Sequence, residues 1–163
     1  MSEAEEVKTS DSMLYEKYKK YLILRIGKNV FGVLVQNVED VLFPQKIANI
    51  PLAPQYILGV LNLRGRIVTA IDLGIKLGID PVDTSRQYRS IVIEKNNHLY
   101  SLLVDDVSEV IDIPNSKISN VPENLSDEWK KVSLGVHTME DDLMVIIDAY
   151  KIIGDNKDET EDE

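Results

Sequence analysis

Two aspartates, Asp72 and Asp148, lie in similar sequence contexts and are the residues of this chain best suited to acid–base chemistry. Each follows an isoleucine at the end of an apolar run. Two carboxylates brought together across a pseudo-dyad can share a proton and act as acid and base. However, neither lies in the Asp-Thr/Ser-Gly context of an aspartic protease. We interpret each aspartate as the cap of the turn after its strand; an enzyme that uses the pair is a weaker alternative.

Other reactive side chains give no catalytic pattern. The two histidines, His98 and His137, lack a helical partner four residues away of the kind that binds zinc. The sequence has no cysteine, no phosphate-binding glycine loop and no Gly-x-Ser-x-Gly elbow. We therefore expect no catalytic residue, no metal site and no cofactor.

The charge of the chain is concentrated at its ends. The net charge is −10; residues 1–12 contribute −3 and residues 155–163 contribute −5, which leaves −2 for the rest. Nucleic-acid surfaces need a basic field, so this distribution argues against a DNA or RNA partner. The acidic segments 1–18 and 155–163 are expected to be disordered.

The long uncharged stretch at residues 47–63 contains Pro51 and Pro54, which argues against insertion in a membrane. The acidic start is unlike a signal peptide, and the absence of cysteine favours a reducing compartment. A cytoplasmic location is expected.

The elements that carry these residues occur twice. Apolar segments flanking polar turns recur at 21–35 and 90–104 and predict two β-hairpins. Farther on, Gly-Val and Ile-Asp pairs stand 13 residues apart in both copies, at 59–72 and at 135–148. This internal duplication predicts a mostly-β fold of two small barrels, at 19–80 and 81–154, with a groove between them.

Apolar residues spaced by three after each hairpin predict a short helix in both copies. Val35, Val38 and Val41 form this pattern in the first copy, and Val107 and Val110 are counterparts in the second.

The two copies differ most at one turn. Residues 64–66 read Arg-Gly-Arg, whereas residues 140–142 read Glu-Asp-Asp. The second copy lacks an arginine here, so the fold does not require one, and arginine is favoured in protein interfaces. Arg64 and Arg66 are either solvated turn residues or specific contacts; we predict that Arg64 pairs with Asp40 and contacts a partner protein.

Residues 59–73, read as a whole, resemble the central signature of the CheW family, the coupling proteins of bacterial chemotaxis. The Gly-x2-Asn-Leu-Arg-Gly core at 59–65 is the most specific part, framed by Phe31-Gly32, by residues 38–41 and 104–107, and by Gly135. The resemblance covers about residues 20–154. One departure is Thr69-Ala70, where many relatives carry a proline.

The resemblance implies two SH3-like five-stranded barrels and no enzyme activity. It also implies an adaptor that bridges the regulatory domain of the histidine kinase CheA and the cytoplasmic tips of chemoreceptors. The chain shows no kinase or receiver regions, so a free-standing coupler is expected. The receptor-side candidates carried over by position are Val38, Asp40, Gly59, Asn62, Arg64 and Gly65, with Val107 and Val110 as weaker ones. The kinase contact is expected at barrel ends.

A small-molecule-binding double barrel, with the groove as its ligand site, is the main alternative from another functional class. A pull-down against a receptor tip and CheA distinguishes the two. Retention of both proteins supports the adaptor, and a bound metabolite with neither protein retained supports the alternative.

Overall fold

The protein is described from a computed structural model that covers residues 17–154. The segments 1–16 and 155–163, for which disorder is expected, lie outside the described residues. Tyr18, expected within the N-terminal segment, instead begins the first strand. Within residues 17–154 no helix is long and apolar enough to cross a bilayer.

The fold is mostly β, as predicted. The strands are β1 (Tyr18–Ile26), β2 (Asn29–Leu34), β3 (Asp40–Leu42), β4 (Ile57–Leu63), β5 (Arg66–Asp72), β6 (Arg89–Lys95), β7 (His98–Val104), β8 (Asp106–Pro114), β9 (Ser133–Thr138) and β10 (Leu143–Ile147). The helices are α1 (Leu73–Lys76), α2 (Asp127–Val132) and α3 (Ala149–Ile153), and single 3-10 turns span Val35–Asn37 and Asn115–Lys117.

The strands form two five-stranded sheets. The first sheet has the order β8-β1-β2-β10-β9, and the second has the order β3-β6-β7-β5-β4. Each sheet thus combines a hairpin from one half of the chain with three strands from the other. The expected division into 19–80 and 81–154 does not separate the sheets. The reason is that residues 35–39 carry the chain from β2 in the first sheet to β3 in the second.

The internal duplication is confirmed by equivalent contacts in the two sheets. An isolated bridge joins Ala48 to Val60, and its counterpart joins Ser119 to Val136. The Asp72 N–H donates to the carbonyl of Tyr56 at 2.8 Å, and the Asp148 N–H donates to that of Val132 at 2.8 Å. Within residues 17–154 a single isolated backbone bridge connects the two edges of each sheet, so the predicted barrels are incompletely closed.

The predicted short helix after each hairpin is only partly correct. In the first copy it is the single 3-10 turn at Val35–Asn37. In the second copy the chain passes almost directly from β7 into strand β8, which carries Val107 and Val110 and pairs along most of its length with β1. Apolar spacing of three over so few residues does not distinguish a turn of helix from a twisted strand, and the long partner β1 favours the strand.

A shared core joins the two sheets. Phe31 on β2 is fully buried, and its ring centroid lies 5.4 Å from that of Trp129 on α2. The Trp129 indole N–H donates to the carbonyl of Leu77, just beyond α1, at 2.7 Å. The Trp129 side chain therefore packs against the first sheet and also hydrogen-bonds to the segment that follows β5 of the second sheet.

Candidate partner-binding surface

The β4–β5 hairpin turn holds Arg64 in a defined backbone conformation. Arg64 and Gly65 form a two-residue turn with φ values of 52° and 85°. Positive φ at both central residues matches the twist of the flanking strands, and glycine adopts it without strain. The side-chain oxygen of Asn62 accepts the Gly65 N–H at 3.0 Å, which closes the turn. Asn62 and Gly65 thus set the direction in which Arg64 leaves the backbone.

The predicted ion pair is present. Nη2 of Arg64 lies 3.1 Å from Oδ2 of Asp40. The Arg64 side chain is 79% exposed, whereas that of Asp40 is 29% exposed. Asp40 lies on β3, one terminal strand of the second sheet, and the turn follows β4, the other terminal strand. The pair therefore links the two ends of this sheet, and at such exposure it contributes under about 1 kcal/mol to stability.

The neighbouring Arg66 has a different role. Its Nη2 contacts Oε1 of Glu94 at 3.4 Å and the carbonyl of Asn97 at 3.3 Å, both on the β6–β7 hairpin. Arg66 is thereby turned along the sheet. Among the contacts described for residues 17–154, Arg64 has only Asp40, so most of its guanidinium donors face solvent.

Gly59 and Val38 are placed inside the surface rather than on it. Gly59 is buried with φ +146°, and a Cβ built there would lie 2.0 Å from the carbonyl oxygen of Ala48. Val38 is half-buried and packs against the core. Gly59 therefore keeps the second sheet closely packed beside the Ala48 segment, and neither residue presents much side chain to a partner.

The two weaker candidates lie elsewhere. Val107 and Val110 are on β8, a terminal strand of the first sheet, where they pair with Leu24 and Leu22 of β1. Val110 is exposed and Val107 is half-buried. The structure thus groups Asp40, Asn62, Arg64 and Gly65 in the second sheet and leaves the two valines in the first.

An exposed apolar residue next to the turn was missed from the sequence. Ile67 on β5 is 63% exposed and pairs with Asn62 on β4. The apolar run of β5 does not by itself show which of its residues face solvent. A partner at the Arg64 turn would therefore meet apolar surface beside the guanidinium.

The enzyme alternative based on Asp72 and Asp148 is not supported by the contacts of these residues. Asp72 is 2% exposed and accepts the N–H groups of Ile75 and Val82 at 3.0 and 3.1 Å. Burial raises the pKa of Asp72 above 3.8, and these hydrogen bonds oppose the rise. Asp148 accepts the N–H groups of Tyr150 and Lys151. Each aspartate caps a helix, as predicted.

No cluster of residues able to hold a metal ion occurs in the described part of the chain.

Comparison with known proteins identifies the family. The model of the CheW-like domain matches residues 20–157. The chain belongs to the CheW-like domain family. The Chemotaxis protein CheW of Thermotoga maritima is 30% identical over 142 residues, which are 86% of this chain and 92% of that protein. The Chemotaxis protein CheW of Helicobacter pylori is 28% identical over 138 residues, covering 85% and 83% respectively.

A solved structure supports the same assignment to the CheW-like family. It is the crystal structure of the scaffolding protein TtCheW from Thermoanaerobacter tengcongensis. The present structure superposes on it with a TM-score of 0.76 at 28% sequence identity, and the match covers 86% of this chain and 95% of the TtCheW chain. This CheW-like domain therefore shares with TtCheW a fold that spans nearly the whole neighbour.

Proposed function

We propose that this protein is a non-catalytic adaptor of bacterial chemotaxis that couples chemoreceptor cytoplasmic tips to the regulatory domain of the kinase CheA. Membership of the CheW-like family supports it, as do the relatives named as chemotaxis and scaffolding proteins. The observation that carries the proposal is the Arg64 turn, which presents a guanidinium to solvent from a fixed backbone. The adaptor is proposed to act in the cytoplasm, at receptor arrays.

Preorganisation explains why Arg64 suits a binding role. Its backbone is fixed by the turn, and its side chain is directed by Asp40. A partner therefore meets an arginine whose backbone needs no further ordering on binding. Once water is excluded, an ion pair that is weak in the free protein interacts more strongly, and removal of one partner then costs a few kcal/mol.

The proposed receptor side has a polar centre and a supporting frame. Arg64, Asp40 and the exposed Ile67 form the centre. The frame consists of Val38, Gly59, Asn62 and Gly65, which fix its shape. Val107 and Val110, on β8 of the first sheet, stay weaker candidates for partner contact.

Replacing Arg64 by alanine is expected to reduce receptor-stimulated CheA activity strongly in a reconstituted array, with loss of a few kcal/mol of receptor binding. The melting temperature should stay near that of the wild type, because the free ion pair is exposed. Arg64→Lys should restore coupling poorly, since a point charge does not reproduce the planar fork.

Arg66→Ala is the matched control, because it removes the same charge from the same turn. Its guanidinium is directed to Glu94 and Asn97, so coupling should be largely retained. Equal loss in both variants would indicate a general effect of charge. Wild-type coupling by Arg64→Ala would remove this arginine from the mechanism, and retention of neither receptor nor CheA in a pull-down would favour the small-molecule alternative.

A further inference from the structure

A cleft with four lysines among its eight lining residues lies beside the three short helices, and its lining includes no residue of the Arg64 turn. Its volume is about 670 Å³. The lining residues are Lys76, Lys95, Glu128, Lys131, Val132, Tyr150, Lys151 and Gly154. Four lysines against one glutamate make this a basic site in a chain whose net charge is −10.

Two of the lysines are already engaged. Nζ of Lys95 donates to the carbonyl of Tyr150 at 2.9 Å and also to that of Gly154. Nζ of Lys76 lies 3.9 Å from the centroid of the Tyr56 ring, a cation–π contact. Both contacts hold an ammonium group in place without neutralising it.

The other two lysines form no ion pair within the described residues, although Glu128 lines the same cleft. Lys131 and Lys151 make no ion pair with any residue between 17 and 154. Each stands in the last turn of its helix, where the helix dipole favours a cation. The helix dipole accounts for the position of each lysine. The lysines on this one concave surface nevertheless repel one another, and their combined field attracts an anion.

The sequence supplies an anionic segment at the edge of this cleft. Gly154 lines the cleft, and residues 155–163 follow it with six acidic residues and one lysine. Nine residues reach at most about 30 Å, which is enough to cross a cleft of this size. A tethered segment also has an effective concentration in the millimolar range, so modest affinity suffices. We propose that the acidic segment 155–163 docks in the lysine-lined cleft of its own chain.

Paramagnetic NMR can test this docking directly. The chain has no cysteine, so Thr160→Cys introduces a single site for a nitroxide label without changing the charge. Amide signals of α2, which is far from residue 160 in the sequence, should lose intensity compared with the ascorbate-reduced sample, while those of the Arg64 turn keep theirs. The loss should disappear in high salt, which screens exposed charges, and in the double variant Lys131→Glu/Lys151→Glu.

The matched control is Lys46→Glu/Lys117→Glu. These lysines are exposed, occupy equivalent positions in the two copies and lie outside the cleft lining, so the same charge change should leave the broadening intact. Equal loss in both double variants, or broadening that neither affects, would overturn the proposal. Broadening in a mixture of nitroxide-labelled chain and isotope-labelled, nitroxide-free chain would assign the segment to a second copy and also refute docking in cis.

Discussion

Replacing Gly59 with alanine is expected to lower the free energy of unfolding by more than about 3 kcal/mol. The added Cβ would lie 2.0 Å from the carbonyl oxygen of Ala48, and the backbone has φ +146°, which disfavours a side chain. Ala48 and Val60 exchange two hydrogen bonds at 2.8 and 2.9 Å beside this position. The clash would break the bridge that joins the ends of the second sheet.

Gly135→Ala is the matched comparison, since Gly135 occupies the same place in the first sheet. Its Cβ would meet Ile118 Cγ2 at 2.6 Å and the Ser119 carbonyl oxygen at 2.7 Å, and its backbone is outside the left-handed region. We expect a loss of about 1–2 kcal/mol there. Urea denaturation of both variants measures the difference. A Gly59→Ala protein as stable as Gly135→Ala would show that the Ala48 segment moves aside freely.

Removing the Asp72 carboxylate should have the second large effect. Asp72→Ala leaves the N–H groups of Ile75 and Val82 without their acceptor, and Val82 is buried. Unsatisfied buried groups cost about 1–3 kcal/mol each, so we expect a loss of about 3 kcal/mol. Asp148→Ala removes a more exposed helix cap and should cost about 1 kcal/mol. Similar losses in thermal or urea unfolding would contradict this account.

The pH dependence of stability provides an independent check. Burial raises the pKa of Asp72 in the folded state above 3.8. The folded protein therefore holds this proton at pH values where the unfolded chain has released it, and the contribution of Asp72 to stability falls as pH rises through that window. Asp72→Asn lacks this titration. The stability of wild type relative to Asp72→Asn should thus decrease from pH 3.8 upward, and an increase would reverse the assigned sign.

The features that depend on local sequence could be predicted. Asn62 and Gly65 specify a tight turn, and the difference between the copies at residue 64 indicated Arg64. Its pairing with Asp40, 24 residues away, is a prediction beyond local sequence that the structure confirms. The aspartate caps also follow from short-range chemistry, because a carboxylate accepts N–H groups two or three residues ahead.

Other features that depend on contacts between distant parts of the chain could not be predicted from the sequence. The two hairpins present similar apolar surfaces, so the sequence does not specify which set of three strands each one joins. The lysine cleft combines Lys76, Lys95, Lys131 and Lys151 from four separate elements, and no spacing in the sequence brings them together. The exposure of Ile67 could not be predicted from the apolar run in which it lies, because it depends on how β5 is placed in the sheet.

The exchange of hairpins between the sheets also has a consequence for synthesis on the ribosome. β2 pairs in parallel with β10, where Val30 lies opposite Met144. The first sheet therefore cannot be completed until β10 has been translated. Until then β2 lacks its partner β10, although β1 can already pair with β8, and residues such as Phe31 stay exposed. Contacts this far apart in sequence raise the contact order, which slows folding, and the waiting strands are open to aggregation or chaperone capture.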